Sequence, residues 1–241
     1  MYGYGGMGYG GFYWDPTYFL VLIGMVLSLW ASASVSSNMN KYRKVRNAYG
    51  LTGAQAAQRI LQSEGLYHVK IECLPSNDGD HYDPSSNTVR LSRSNFMEAS
   101  VTAVGVAAHE CGHAIQHAKG YKPITIRSAL VPAVNITNKL SMPIILLGVL
   151  LSWNQTLIQI GIWAFALTVL FQLVTLPVEF NASHRAVAKI EQYGLLAGDE
   201  MKGCKKVLKA AAMTYVAAAA ATILQLLRLV LLFGGNRRRD D

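Results

Sequence analysis

Four long apolar runs and one extended polar block divide the chain. Tyr18 to Ser36 holds no charge. About 20 residues, rising about 1.5 Å each, match the hydrocarbon thickness of a bilayer. The run predicts a spanning helix, 17–37 with its flanks. Residues 140–152 are strongly apolar and predict a second span, and 157–178 predict a third. The connection from Trp153 to Thr156 is short and uncharged, so 140–178 reads as a tight transmembrane hairpin. Residues 207–233 are apolar and rich in alanine. They predict a fourth span, or a helix buried against the others through its small residues.

The block 38–128 carries the periodicities of a soluble unit. Thr52 is placed to cap a helix running to about Glu64, with Ala54, Ala57, Ile60 and Leu61 on its buried face. Tyr67 to Cys73 alternates with period two and predicts a strand. Pro75–Gly79 and Asp83–Asn87 read as turns, and Thr88–Leu91 as a short strand, together a small antiparallel sheet. Ser92 or Ser94 then caps a long helix that reaches about Lys119 and stops at Gly120. A second polar segment, 179–206, follows the hairpin.

Charged residues are only 15% of the chain and hydrophobic ones 51%. That balance excludes a disordered chain or a coiled coil. The net charge is +8, but the basic residues flank apolar runs instead of forming a nucleic-acid footprint. The expected partner is therefore the lipid bilayer, with no nucleic acid. Lys41, Arg43, Lys44 and Arg46 directly follow the first run, and such charges stay in the cytoplasm. This places the polar block on the cytoplasmic face, and the basic residues of 179–206 agree. Arg237–Arg239 in the charged tail 234–241 run against that tendency, which leaves the C-terminal orientation open. Residues 1–16 begin with a Gly/Tyr-rich tail without period. A signal peptide cleaved near Ala33 competes with the first span. No Lys or Arg precedes the run, which favours an uncleaved anchor. Cys73, Cys111 and Cys204 are too scattered for a disulfide framework.

The strongest chemical signal is His109-Glu110-Cys111-Gly112-His113, inside a predicted helix. Helical residues four apart share a face, displaced by about 40° and about 6 Å. Two imidazoles so placed can bind one Zn²⁺, and Glu110, about 100° round, can take a proton from water beside the metal. Such a site needs a third protein donor. His117 is a poor one, because three side chains at i, i+4 and i+8 cannot converge on one tetrahedral ion. Glu179 ends the third apolar run on the same membrane side, where an unpaired carboxylate is costly. Its alternatives are an interfacial glutamate with no metal role, and His184 as the ligand. Cys111 faces away from the metal side and reads as a packed residue.

The order of anchor, small sheet, HECGH helix, hairpin of spans and VEFNASHRA resembles the YugP-like neutral zinc metallopeptidases of bacterial membranes. It is more distantly similar to the HtpX-type proteases. Asn87-Thr88-Val89-Arg90-Leu91 before the motif and Val178-Glu179-Phe180-Asn181-Ala182-Ser183 after it carry the likeness. The resemblance implies a mainly α, multi-span helical membrane protein with a small α+β zincin-like domain of gluzincin type. It implies one Zn²⁺ on His109, His113 and Glu179, with Glu110 as base, in a bacterial inner-membrane protease facing the cytoplasm. Its substrate would be a peptide or an exposed segment of a membrane protein. The HtpX-type pattern has an Asp where this chain has Ser183, a hydroxyl that can hydrogen-bond an imidazole without adding charge. Asn181 or His184 would compensate. In such enzymes an edge strand holds the substrate backbone, which nominates Thr88, Val89, Arg90 and Leu91, with a plain structural strand as the alternative. Oxyanion candidates are His184, Arg185 and Tyr193. A catalytically idle scaffold would instead close the metal site with Cys73 or His184, and an exported enzyme would need cleavage near Ala33.

Overall fold

Lipid supplies no hydrogen bonds, so long uncharged runs satisfy their backbone internally, as helices. The computed structural model describes residues 15–75 and 79–234 and is mainly helical. In chain order its elements are α1 (Tyr18–Arg43), α2 (Gly53–Ser63), β1 (Lys70–Leu74), β2 (His81–Asp83), β3 (Thr88–Ser92), α3 (Arg93–Met97), α4 (Val101–Ala118), α5 (Lys122–Leu150), α6 (Gln155–Gln192) and α7 (Gly198–Phe233). Among the described residues α1, α5, α6 and α7 are long and apolar enough to cross a membrane. The expectations for the Gly/Tyr tail before Asp15 and for Arg237–Arg239 lie outside the described residues.

The helices outrun the apolar runs that predict them. α5 starts at Lys122 and passes through Pro132 and Pro143 without ending. α6 passes through Pro177 and continues to Gln192. Glu179 therefore sits inside a helix, not at the end of one. Between α5 and α6 the chain turns through Ser152 and Trp153, both with positive φ, and the Asn154 side chain accepts from the Leu157 N–H at 3.2 Å. The two helices touch closely. A β-carbon on Gly161 would lie 2.8 Å from the Ser141 carbonyl oxygen. α7 packs along α1 and starts at Gly198, ahead of the apolar run.

In the polar block, Thr52 and Gln55 form a capping box on α2. Ala56, Ala57, Ile60 and Leu61 face its core, while Ala54 is half-buried at the rim. The sheet is mixed, not antiparallel, with order β1-β3-β2. A turn through Pro84–Asn87 joins β2 to β3 antiparallel, with Tyr82 opposite Val89. That leaves the other side of β3 for β1, which runs parallel to it with Lys70 opposite Thr88.

The expected long helix from Ser92 or Ser94 is broken in two. The Asn47 N–H donates to the Ala99 carbonyl at 2.9 Å, and the Val101 N–H donates to the Val45 carbonyl at 3.0 Å. The chain leaving α1 thus claims backbone groups around Ser100 that a continuous helix would need. Ser100 then caps α4, accepting from the Ala103 N–H at 3.1 Å. α4 lies at the centre, against α2 on one side and α6 and α7 on the other, with most of its residues buried.

Candidate metal centre

α4 turns His109 and His113 toward α6. Their ring centroids are 4.8 Å apart and their planes nearly perpendicular. Glu179 reaches in from α6, with Oε2 at 3.3 Å from His109 Nε2 and 3.6 Å from His113 Nε2. The three donor atoms all lie within 4.8 Å of one another. Donors about 2.0–2.1 Å from a tetrahedral ion are about 3.3 Å apart, which the two histidine–glutamate spacings approach, and two imidazoles with a carboxylate are a donor set suited to Zn²⁺. Glu179 is only 2% exposed, and a bare carboxylate there would be costly.

Both imidazoles are held from behind. The His113 Nδ1–H donates to Gln116 Oε1 at 3.0 Å. Gln116 is fully buried, and its Nε2 donates to the Val178 carbonyl at 2.8 Å and to Asn181 Oδ1 at 3.0 Å. Arg185 Nε donates to the same Asn181 oxygen at 2.7 Å. His109 Nδ1 lies 3.1 Å from the Ser183 hydroxyl. With both Nδ1 atoms engaged, both Nε2 atoms face Glu179. Burial disfavours a charged His113, but the carboxylates of Glu179 and Glu110 outweigh it and raise its pKa above the ordinary imidazole value. The field at this spot attracts positive charge.

Two cavities adjoin the cluster. The larger, about 350 Å³, is lined by His81, Tyr82, His117, Arg127 and Ser128 among others. The smaller, about 150 Å³, lies between α4, α7 and the end of α1. Asp80, His109, Glu110, Glu179 and Tyr215 line both. Arg127 Nη1 is 3.8 Å from Glu179 Oε1, and its Nε is buried without a partner. His117 packs its ring 5.5 Å from that of Tyr82, and burial, then the positive field of His113 and Arg127, lowers its pKa. Cys111 packs on α2, with Sγ 3.7 Å from the Ala57 carbonyl, and burial pushes its thiol pKa well up.

The structure brings His109, Glu110, His113, Glu179, Asn181 and Ser183 together, and it leaves other candidates elsewhere. His184 is exposed on α6. Arg185 lies behind Asn181, outside both cavities. Tyr193 donates to Glu64 at 2.8 Å, away from the cluster. Cys73 is exposed on β1. Nor can Thr88–Leu91 receive a further strand, because β3 is the middle strand of the sheet. Thr88, Val89 and Leu91 are buried, and Arg90 pairs with Asp83 and Glu72. The edge nearest the cluster is β2, whose His81 and Tyr82 line the larger cavity. Sequence reasoning missed Asp80, Gln116, Arg127 and Tyr215. Of these Tyr215 carried a usable signal, a polar group inside the apolar run 207–233, whereas Arg127 lay in the polar block 38–128, where a cation is ordinary.

A model of the family described as "Putative neutral zinc metallopeptidase" matches residues 17–234. The chain is 45% identical over 199 residues to the protein named "Putative membrane protease YugP" of Bacillus subtilis (strain 168), covering 83% of this chain and 88% of that one. No solved structure matches.

Proposed function

Since the chain belongs to the neutral zinc metallopeptidase family, we propose that it is a membrane-embedded protease of gluzincin type. His109, His113 and Glu179 hold one Zn²⁺, and Glu110 is the general base. The observation that carries this is the convergence of three donors from two helices, α4 and α6, beside a cavity. When bound, the ion supplies Lewis acidity and brings the pKa of a coordinated water down to about 7.

The chain's own groups do the rest. Glu110, 7% exposed and lining both cavities, accepts the proton of the attacking water and delivers it to the leaving amine. Gln116 and Ser183 keep the protons on the Nδ1 atoms, so each Nε2 offers its lone pair. Arg127 has donors to spare and faces the negative charge that develops on the carbonyl oxygen, with Tyr215 beside it. The edge of β2 takes the substrate backbone by strand addition. The substrate is a peptide or an exposed segment of a membrane protein. The protein is a multi-pass component of the bacterial inner membrane, with its centre on the cytoplasmic face beside Lys41, Arg43, Lys44 and Arg46.

Two observations disfavour the alternatives. Among the described residues neither Cys73 nor His184 joins the cluster to close it, as an idle scaffold would require. α1 is one continuous helix through Ala33 and packs along α7, with Gly24 set against Ala221, so cleavage near Ala33 would cut a packed helix in two.

The test is metal analysis and casein digestion of the native chain and Glu110→Gln, purified in detergent. One equivalent of zinc in both, with cleavage by the native chain alone, is the expected result. Undiminished cleavage by Glu110→Gln would overturn the base assignment. His109→Ala and His113→Ala should lose zinc, and a full equivalent in either would overturn the ligand assignment. If His184→Ala loses zinc and Glu179→Ala does not, the third ligand is His184.

A further inference from the structure

We propose that the smaller cavity is the specificity pocket, taking one apolar side chain of the substrate immediately beside the scissile bond. This rests on the hydrolase assignment above. The cavity begins at the metal cluster itself, sharing His109, Glu110 and Glu179 with the larger one. Whatever occupies it is therefore attached close to the bond under attack.

Its walls decide the chemistry. Val106 sits one turn ahead of His109 on α4, Met39 closes one side, and Val207, Leu208, Ala211 and Ala212 form a stripe along one face of α7. Among the described residues no Lys or Arg lines it, and its polar lining belongs to the metal centre, to Asp80 and Ser183, or to Tyr215. Asp80 is already engaged, accepting from the Ser92 N–H and from Asn95 Nδ2, both at 2.7 Å. Ser183 is engaged with His109. An acidic side chain entering would lose water and face the carboxylates of Asp80, Glu110 and Glu179, whereas an apolar one would gain contacts with Met39, Val106 and the stripe on α7.

A cavity of about 150 Å³ has room for a benzene-sized group against its apolar wall. Leucine and phenylalanine side chains match that size. The opposite flank of the bond meets Arg127, His117, His81 and Ser128 in the larger cavity and has no such filter. Specificity is therefore one-sided.

Ala211 and Val106 are half-buried wall positions outside the chemistry, so they can be resized. The experiment uses the full chain, zinc-loaded in detergent, and fluorogenic peptides in which each residue flanking the bond is varied among Ala, Leu, Phe and Asp. The native chain should prefer Leu or Phe to Ala by roughly tenfold or more on one flank only. Ala211→Leu should fill the pocket and invert that order toward Ala. Val106→Ala should enlarge it and shift preference toward Phe, which keeps the test alive if Ala211→Leu fails to fold. In a Glu110→Gln background, peptide dissociation constants should show the same order and the same inversion without turnover. An unchanged order in both wall variants, or a native preference for Asp on both flanks, would overturn the pocket while cleavage that depends on Glu110 still upholds the hydrolase. No cleavage of any peptide by the zinc-loaded native chain would instead sink the hydrolase assignment itself.

Discussion

Gly112 meets Ala182 so closely that a β-carbon on Gly112 would lie 2.6 Å from the Ala182 carbonyl oxygen. The two residues mark where α4 and α6 touch. Gly112 is flanked by the motif positions of α4, and Ala182 lies one turn past Glu179. Gly112→Ala is expected to push the helices apart and pull Glu179 from the imidazoles. Zinc affinity should fall at least about tenfold while helix content by circular dichroism holds. Native affinity in that variant would show that the contact does not govern the centre.

Gln116 ties His113 to the backbone of α6. Gln116→Leu removes the acceptor for the His113 N–H, and losing a hydrogen bond that orients a metal-binding imidazole typically costs about 10–100-fold in metal affinity or activity. Competition with a chelator measures it. Ser183→Ala should act in the same direction through His109. A Gln116→Leu protein that binds zinc like the native one would refute the tether.

Among the described residues that line the larger cavity, histidines aside, Arg127 carries the only positive charge. Losing one oxyanion donor generally costs about 10²–10³ in kcat. Arg127→Ala should show a drop of that order with zinc stoichiometry intact, and Arg127→Lys should recover part of it. Loss of zinc in step with activity would make Arg127 a support for Glu179 instead.

Glu64 clamps three elements. It accepts from Tyr193 at 2.8 Å and from Lys119 at 3.3 Å, and it pairs with Lys189. Burial alone would raise its pKa, but the lysines and Tyr193 outweigh it and hold the carboxyl below its usual range. A depressed carboxylate stabilises the fold above its unfolded value of about 4.3, and that contribution is lost as pH falls through the lower folded value. The Tm gap between native chain and Glu64→Gln should therefore be level at neutral pH and shrink only at acid pH. A gap that grows on acidification would contradict this.

The spacing of His109 and His113 was legible because a helix puts i and i+4 on one face, and Glu179 because a carboxylate beside an apolar run wants a partner. The sequence pattern failed where long-range pairing decided. Glu98–Ser100 reads as helix until the strand-like exit of α1 takes its hydrogen bonds. β2 is three residues among turn formers, too short to leave an alternation, yet it makes β3 an inner strand. Arg185 and Tyr193 looked near Glu179 in sequence, but along a continuous helix they rotate to other faces. Tyr215 comes from the distant apolar run 207–233, where only its cost in lipid hinted at it, and Arg127 was hidden because α5 begins ahead of its apolar run, inside the polar block.

α6 runs unbroken from the hairpin turn to Gln192 and carries Glu179, Asn181 and Ser183 along its length. The helix continues through Pro177, so the apolar part and the part that carries Glu179 are one element. The polar block 38–128, excised as a water-soluble fragment, would take two histidines with it and forfeit the carboxylate. On the proposed assignment the enzyme could not be shed from its bilayer as a working piece, because one of its teeth is rooted in the jaw.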